Sequence, residues 1–124
     1  GDVYKRQVAG RCVKPTTRAA LRRLKRVREA ELRHKEIVLG ALRRAIEECD
    51  VRLTDLQAQL DAPPAEIAAY PMLLLQFVGE VDQERQVLIA HKAQLRGELA
   101  REEVAVMALR GEAKLVDRAL DSLS

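Results

Sequence analysis

The chain has 124 residues, enough for one domain, and carries 33% charged residues with a net charge of +3. Aromatic residues make up 2% of it and Trp is absent, although 48% of the residues are hydrophobic. A chain dominated by Ala, Leu, Glu, Lys and Arg is typical of long helices and argues against a compact globule packed around aromatic rings. The balance of 22 basic and 19 acidic residues does not by itself indicate a nucleic-acid-binding protein.

Residues 1–15 show no periodic pattern, and we expect an unstructured leader there. Residues 2–7 read DVYKRQ, the peptide encoded by the end of a transposase-based sequencing adapter, so residues 1–7 are interpreted as a library artefact. The alternative is an ordinary polar N-terminus. No signal peptide is recognised, and the longest strongly apolar run, residues 72–75, is far below the ~18 residues of a membrane span. Two cysteines without metal-type spacing favour a reducing cytoplasm.

A first long helix is predicted at about residues 17–60. Its apolar residues recur with alternating three- and four-residue steps, the spacing of a coiled-coil seam. The predicted seam positions are Leu21, Lys25, Arg28, Leu32, Lys35, Leu39, Leu42, Ile46, Cys49, Leu53, Leu56 and Leu60. Three seam positions in the first half are basic instead: Lys25, Arg28 and Lys35. Pro63 and Pro64 end the helix because proline removes a backbone donor and disfavours the helical conformation of the residue before it.

A second helix is predicted at about residues 72–121, after a bend at 61–71 that places Pro71 at its start. It repeats the seam at Leu74, Val78, Val81, Arg85, Leu88, Lys92, Leu95, Leu99, Glu102, Val106, Leu109, Ala113, Val116, Leu120 and Leu123. Two seams joined by a short bend most simply fold back on each other. The predicted fold is therefore all-α, a long two-helix antiparallel coiled-coil hairpin with arms roughly 65–75 Å long. The expected register places Glu102 near Arg28, Leu32 and Lys35. A helix-swapped dimer is the alternative.

Candidate catalytic groups are sparse. His34 and His91 lie far apart in the expected register and lack ligand-spaced partners, so both are interpreted as solvated helix histidines. Cys49 is a seam residue and is expected to pack in the core. The many carboxylates lie beside basic residues on helix surfaces, without a water-poor cavity. We therefore expect no enzyme, no cofactor, no metal and no small-molecule substrate.

A basic stretch runs from Arg11 to Lys35, with ten Lys or Arg against two acidic residues. A basic helix that leads into a coiled coil suggests nucleic-acid binding. However, no aromatic residues interleave for base stacking. A solvated face or a contact for an acidic protein surface is the favoured interpretation.

The start of the second helix carries more apolar residues than its seam needs. Two interpretations stay open: the loop residues Ile67 and Tyr70 cover them, or they form a partner-binding patch. The surplus residues are Met72, Leu73, Leu75 and Phe77.

The sequence resembles the flagellar export protein FliJ, in particular its short alphaproteobacterial forms, over roughly residues 17–120. The resemblance rests on ALRRLKR at residues 20–26, on the proline-rich bend with AYP at 69–71, and on the register of the second helix. Type III secretion stalk proteins are the related family. The chain departs from the family pattern in its leader and in lacking a clearly charged C-terminal tail.

The resemblance implies a cytoplasmic stalk or adaptor, peripheral at the type III export apparatus, that acts in flagellum biogenesis and motility. Its implied partners are the hexameric export ATPase, the export gate protein and export chaperones, and it reaches the membrane only through them. The residues implied to face the ATPase are Arg22, Arg23, Arg26, Arg110, Lys114 and Arg118. The residues implied to face the gate are Leu73, Phe77, Glu80 and Glu84. A basic nucleic-acid-associated coiled coil and a generic structural hairpin are the competing hypotheses.

Overall fold

The computed structural model describes residues 15–123, and they are helical apart from residues 62–64 and 69–70. The helices are α1 (Pro15–Asp61), α2 (Ala65–Ala68) and α3 (Pro71–Leu123). Within this range there is no strand, and α1 and α3 pack against each other as a helical hairpin. The predicted fold class is confirmed. Residues 1–14, which include most of the predicted leader and the whole adapter-like segment, lie outside the described residues.

The bend follows from its prolines. The backbone N–H of Ala62 still donates to Ala58 O at 3.0 Å, but Pro63 and Pro64 have no N–H to continue α1. Pro64 O then accepts from Ala68 N at 2.9 Å, and this single turn forms α2. Leu74 N donates to Tyr70 O at 2.9 Å and closes the first turn of α3, which begins at Pro71.

The hairpin divides into two units, one containing the chain up to Ile37 and from Glu103 onwards, the other containing Val38–Glu102. We call them the terminal unit and the bend unit. In the bend unit the seam is mainly apolar, with charged residues only at the half-buried positions Arg85, Lys92 and Glu102. Among its residues, five are buried: Leu39, Cys49, Leu56, Val81 and Leu95. Each occupies a predicted seam position, so hydrophobic burial holds the bend unit together.

The terminal unit has a more polar seam. Among its described residues only Val106 and Val116, both on α3, are buried. The α1 seam positions here are half-buried, including the basic residues Lys25 and Arg28. The register expected from the sequence is wrong for Arg28. Its guanidinium contacts Glu112, with Nε 2.9 Å from Oε2, ten residues beyond the predicted Glu102.

Candidate partner-binding surfaces

The apolar residues at the start of α3 are not covered by the loop. The exposed fractions are 61% for Tyr70, 79% for Met72, 50% for Leu73 and 71% for Leu75. The short helix α2 leaves them open because it is a single turn whose Ile67 is itself only half-buried. We call these four residues the bend patch, a set of exposed apolar side chains at the start of α3 and just before it, within the bend unit.

A line of side chains continues from the bend patch along one face of α3. Leu73, Phe77, Glu80 and Glu84 follow one another at steps of four, three and four residues, so they share this face. Phe77 is half-buried beside the seam, whereas both glutamates are exposed. Glu80 Oε1 accepts a hydrogen bond from Gln76 Nε2 at 3.3 Å. The apolar pair and the acidic pair predicted from the resemblance therefore lie on a common face.

Glu84 already has a partner within the hairpin. Its Oε1 accepts from Arg52 Nε at 3.0 Å and lies 2.9 Å from Arg52 Nη2. This hydrogen bond, and then the charge of Glu84, raise the pKa of Arg52 above its ordinary value. Asp55 also contacts Arg52, at 2.7 Å. Glu84 thus joins α3 to α1 in the bend unit, and a partner that binds it must compete with Arg52.

The three arginines predicted on α1 form a compact cluster in the terminal unit. Arg22, Arg23 and Arg26 are exposed, and with Thr16 and Ala19 they line a shallow groove of about 360 Å³. Within residues 15–123, none of the three guanidinium groups takes part in a hydrogen bond or ion pair. The cluster is therefore available for an anionic group from outside the chain.

The basic residues predicted on α3 lie in the same unit. Arg110, Lys114 and Arg118 follow at four-residue steps and are exposed. Arg110 Nη2 approaches Glu36 Oε1 at 3.7 Å, a loose ion pair. Within the part of the chain that the structure describes, the Lys114 ammonium and the Arg118 guanidinium have no ion-pair partner.

Two seam residues of α1 are paired across the terminal unit. Lys25 Nζ lies 2.9 Å from Asp117 Oδ1, and the hydrogen bond and charge of Asp117 raise the pKa of Lys25 above its ordinary value of 10.5. Arg28 contacts Glu112 and also its neighbour Glu31 at 3.0 Å. These basic residues pair α1 with α3, whereas no ion pair within residues 15–123 involves the cluster at Arg22, Arg23 and Arg26.

Charge is divided between the units. The described residues of the terminal unit include eleven Lys or Arg and seven Asp or Glu, a net charge of +4. The bend unit has the reverse, seven basic and eleven acidic residues, and a net charge of −4. An acidic partner is therefore attracted to the terminal unit and repelled by the bend unit.

Within residues 15–123, no three His, Cys, Asp or Glu side chains lie close enough together to hold a metal ion. His34 and His91 are exposed, and Cys49 is buried in the seam with a free thiol. Among the helices described, none has a stretch long and apolar enough to cross a bilayer.

Sequence reasoning missed one apolar surface, on the outer side of α3. Val104, Met107 and Leu115 are 67%, 70% and 63% exposed. Their spacing, i, i+3 and i+11, places them on one face, away from the seam. The apolar spacing of these three residues is visible in the sequence, but the pattern is weak because small residues such as Ala108 and Gly111 lie between them.

The comparisons with known proteins give no relative for this chain: no family model, curated protein or solved structure matches it.

Proposed function

We propose that this chain is a non-enzymatic coiled-coil stalk or adaptor of the flagellar type III export apparatus, acting in the cytoplasm. It would bind the export ATPase ring through the basic terminal unit, and the export gate or chaperones through the bend unit. The proposal rests on the FliJ resemblance in residues 17–120, and the observation that carries it is the exposed bend patch.

An apolar patch supports protein binding because its burial gains free energy. Tyr70, Met72, Leu73 and Leu75 are each at least half exposed, and the hairpin seam does not use them. Removing apolar surface from water contributes roughly 25 cal/mol per Å². Large apolar and aromatic residues also commonly anchor interfaces. The acidic character of the bend unit disfavours an anionic partner there and favours a neutral or basic protein surface.

The arginine cluster supports a second, acidic partner. Unpaired guanidinium groups at Arg22, Arg23 and Arg26 bind carboxylates with planar, two-pronged hydrogen bonds. Because these guanidinium groups are exposed, their attraction to an acidic partner mainly raises the association rate, and salt weakens it. An acidic surface on a ring-shaped ATPase fits these requirements.

The test is a binding measurement with purified export gate protein, using Leu73→Ala combined with Phe77→Ala. We expect the double variant to lose about 2–4 kcal/mol of affinity, because both side chains would be desolvated at the interface. Phe77 is half-buried, so the single variant Leu73→Ala and a helicity measurement by circular dichroism show whether the fold is intact.

Val51→Ala is the matched control, because Val51 is 70% exposed in the same unit but lies on α1, outside the bend patch. It should bind the gate as tightly as the unchanged chain. The proposal is contradicted if the unchanged chain does not bind the gate protein. It is also contradicted if the Leu73 and Phe77 variants keep their helicity and bind the gate as tightly as the unchanged chain does.

Nucleic-acid binding is the second candidate, favoured by the unpaired arginines and the +4 charge of the terminal unit. In a nucleic-acid binder, each arginine that contacts a phosphate releases counterions, so duplex affinity falls as salt is added. Arg22→Gln, Arg23→Gln and Arg26→Gln should then each make the duplex affinity less dependent on salt concentration. Such a protein would be indifferent to Leu73→Ala. Tight duplex binding at physiological salt would replace the export proposal with this one.

A further inference from the structure

The outward side of α3 in the terminal unit combines exposed apolar residues with exposed basic residues. Its three large apolar side chains are each more than 60% exposed, and its two basic side chains are exposed as well. All of them lie on the side of the helix away from the buried seam residues Val106 and Val116. We call this side the outer face, and its residues are Val104, Met107, Gly111, Lys114, Leu115 and Arg118, extended at the end of the helix by Ser122.

The acidic residues of α3 in the terminal unit lie beside the outer face or behind it, and each is already engaged. Glu112 and Asp117 point towards α1, where each lies 2.9 Å from a basic side chain. Glu103 and Asp121 border the outer face, and each has an interaction within the chain. The two sides of this stretch of α3 therefore differ in charge, with its carboxylates held by the chain and its unpaired cations directed outwards.

The cations of the outer face can place their charge at a different level from its apolar side chains. Within residues 15–123, neither the Lys114 ammonium nor the Arg118 guanidinium forms an ion pair. Lysine and arginine have long apolar stems, so they can lie along apolar neighbours while the charged end reaches water or a phosphate. The face runs from Val104 to Arg118, about 21 Å of helix at 1.5 Å per residue. This combination is typical of a helix that lies in the surface of a membrane.

We propose that the outer face binds the surface of a lipid bilayer that contains anionic phospholipids. Val104, Met107 and Leu115 enter the boundary between headgroups and acyl chains, where their burial contributes free energy. Lys114 and Arg118 contact the lipid phosphates at the level of the headgroups. The contact is peripheral and direct, whereas the family resemblance implies that the chain reaches the membrane only through its partners.

Charge and shape together select an anionic bilayer as the occupant. The terminal unit has a net charge of +4, so an anionic surface attracts it. The outward side of a single helix is convex, and a rigid protein partner would cover only a narrow strip of it. A headgroup layer adapts to a convex face and offers many phosphates in one plane. The outer face also lacks the aromatic residues that commonly anchor protein interfaces.

The experiment is co-sedimentation of the full chain with vesicles, at low and at physiological salt. Vesicles of phosphatidylcholine and phosphatidylglycerol in equal parts should bind the chain, and vesicles of phosphatidylcholine alone should not. Lys114→Gln combined with Arg118→Gln should weaken binding about tenfold, because two cations near the membrane surface are lost. The matched control is Arg96→Gln combined with Arg101→Gln. It removes the same charge from exposed arginines of α3 in the bend unit that form no ion pair within the described residues, and it should weaken binding much less.

A second pair of variants tests the apolar part of the contact. Val104→Gln should weaken vesicle binding about threefold or more, because its side chain no longer gains from entering the membrane boundary. Val87→Gln is the matched control, since Val87 is 64% exposed on α3 but belongs to the bend unit, and it should bind as the unchanged chain does. Glutamine is at least as good a helix former as valine, so circular dichroism should show unchanged helicity in both variants.

Four results would overturn the proposal. The first is no binding to the anionic vesicles at low salt, and the second is equal binding to the neutral ones. The third is an equal loss in the two arginine and lysine double variants, which would mean that only net charge matters. The fourth is capture of poly-glutamate without capture of vesicles, which would assign the outer face to an acidic protein. The inference does not depend on the export function, whose test uses gate protein and residues of the bend unit.

Discussion

Replacing Leu56 with Ala is expected to lower the free energy of unfolding of the hairpin by about 2.5–3.5 kcal/mol. Leu56 has an exposed fraction of 0% and lies in the seam of the bend unit. The change removes roughly three methylene equivalents, each worth about 0.8 kcal/mol when buried. The cavity adds less than in a globular core, because the seam between two helices is open at its flanks and neighbouring side chains can move inwards.

The measurement is urea unfolding followed by circular dichroism, with Leu75→Ala as the control. Leu75 is 71% exposed in the same unit, and the two variants make the same change in helix propensity. Leu75→Ala should lower the free energy of unfolding by about 0.5 kcal/mol or less. Equal losses in the two variants would refute the argument that this seam, rather than helix propensity alone, stabilises the bend unit.

Three further predictions concern stability. Glu112→Gln should lower the free energy of unfolding by about 0.5 kcal/mol at low salt, because the exposed pair with Arg28 is lost, and thermal melts in high salt should show no such difference. The pKa of Lys25 is raised in the folded state by Asp117, so its stabilising contribution is complete below pH 10.5 and is lost as the pH rises through the higher folded value. Melts between pH 9 and 12 should therefore fall less steeply for Lys25→Met than for the unchanged chain. Gly79→Ala should stabilise the hairpin by about 0.5–1 kcal/mol in the same assay, since nothing lies within 4 Å of the added Cβ.

The sequence was sufficient to predict the helical hairpin because its signals are local and periodic. Pro63 and Pro64 can only interrupt a helix, and Pro71 is suited to begin one. The seam spacing identifies the inward face of each helix. All predicted α1 seam positions are buried or half-buried, and on α3 only Val78, at 38%, is exposed.

Register was harder to predict, because a seam pattern identifies the inward face of each helix but not which residues of the two helices lie opposite each other. Folding back about the bend placed Glu102 near Arg28, whereas the structure pairs Arg28 with Glu112, ten residues further along α3. The exposure of Met72, Leu73 and Leu75 could not be predicted for a related reason. It depends on how much surface α2 covers, which the periodic pattern does not specify.

Which residues fill the seam also determines how each unit responds to its surroundings. Buried apolar surface gives unfolding a positive heat capacity change, and hydrophobic stabilisation weakens on cooling. The bend unit contains five of the seven buried residues in the described range, so cooling should weaken it more. The terminal unit relies on exposed ion pairs such as Lys25–Asp117, which added electrolyte screens. Cold and salt therefore act on different parts of one hairpin, and hydrogen exchange under each condition would distinguish the two.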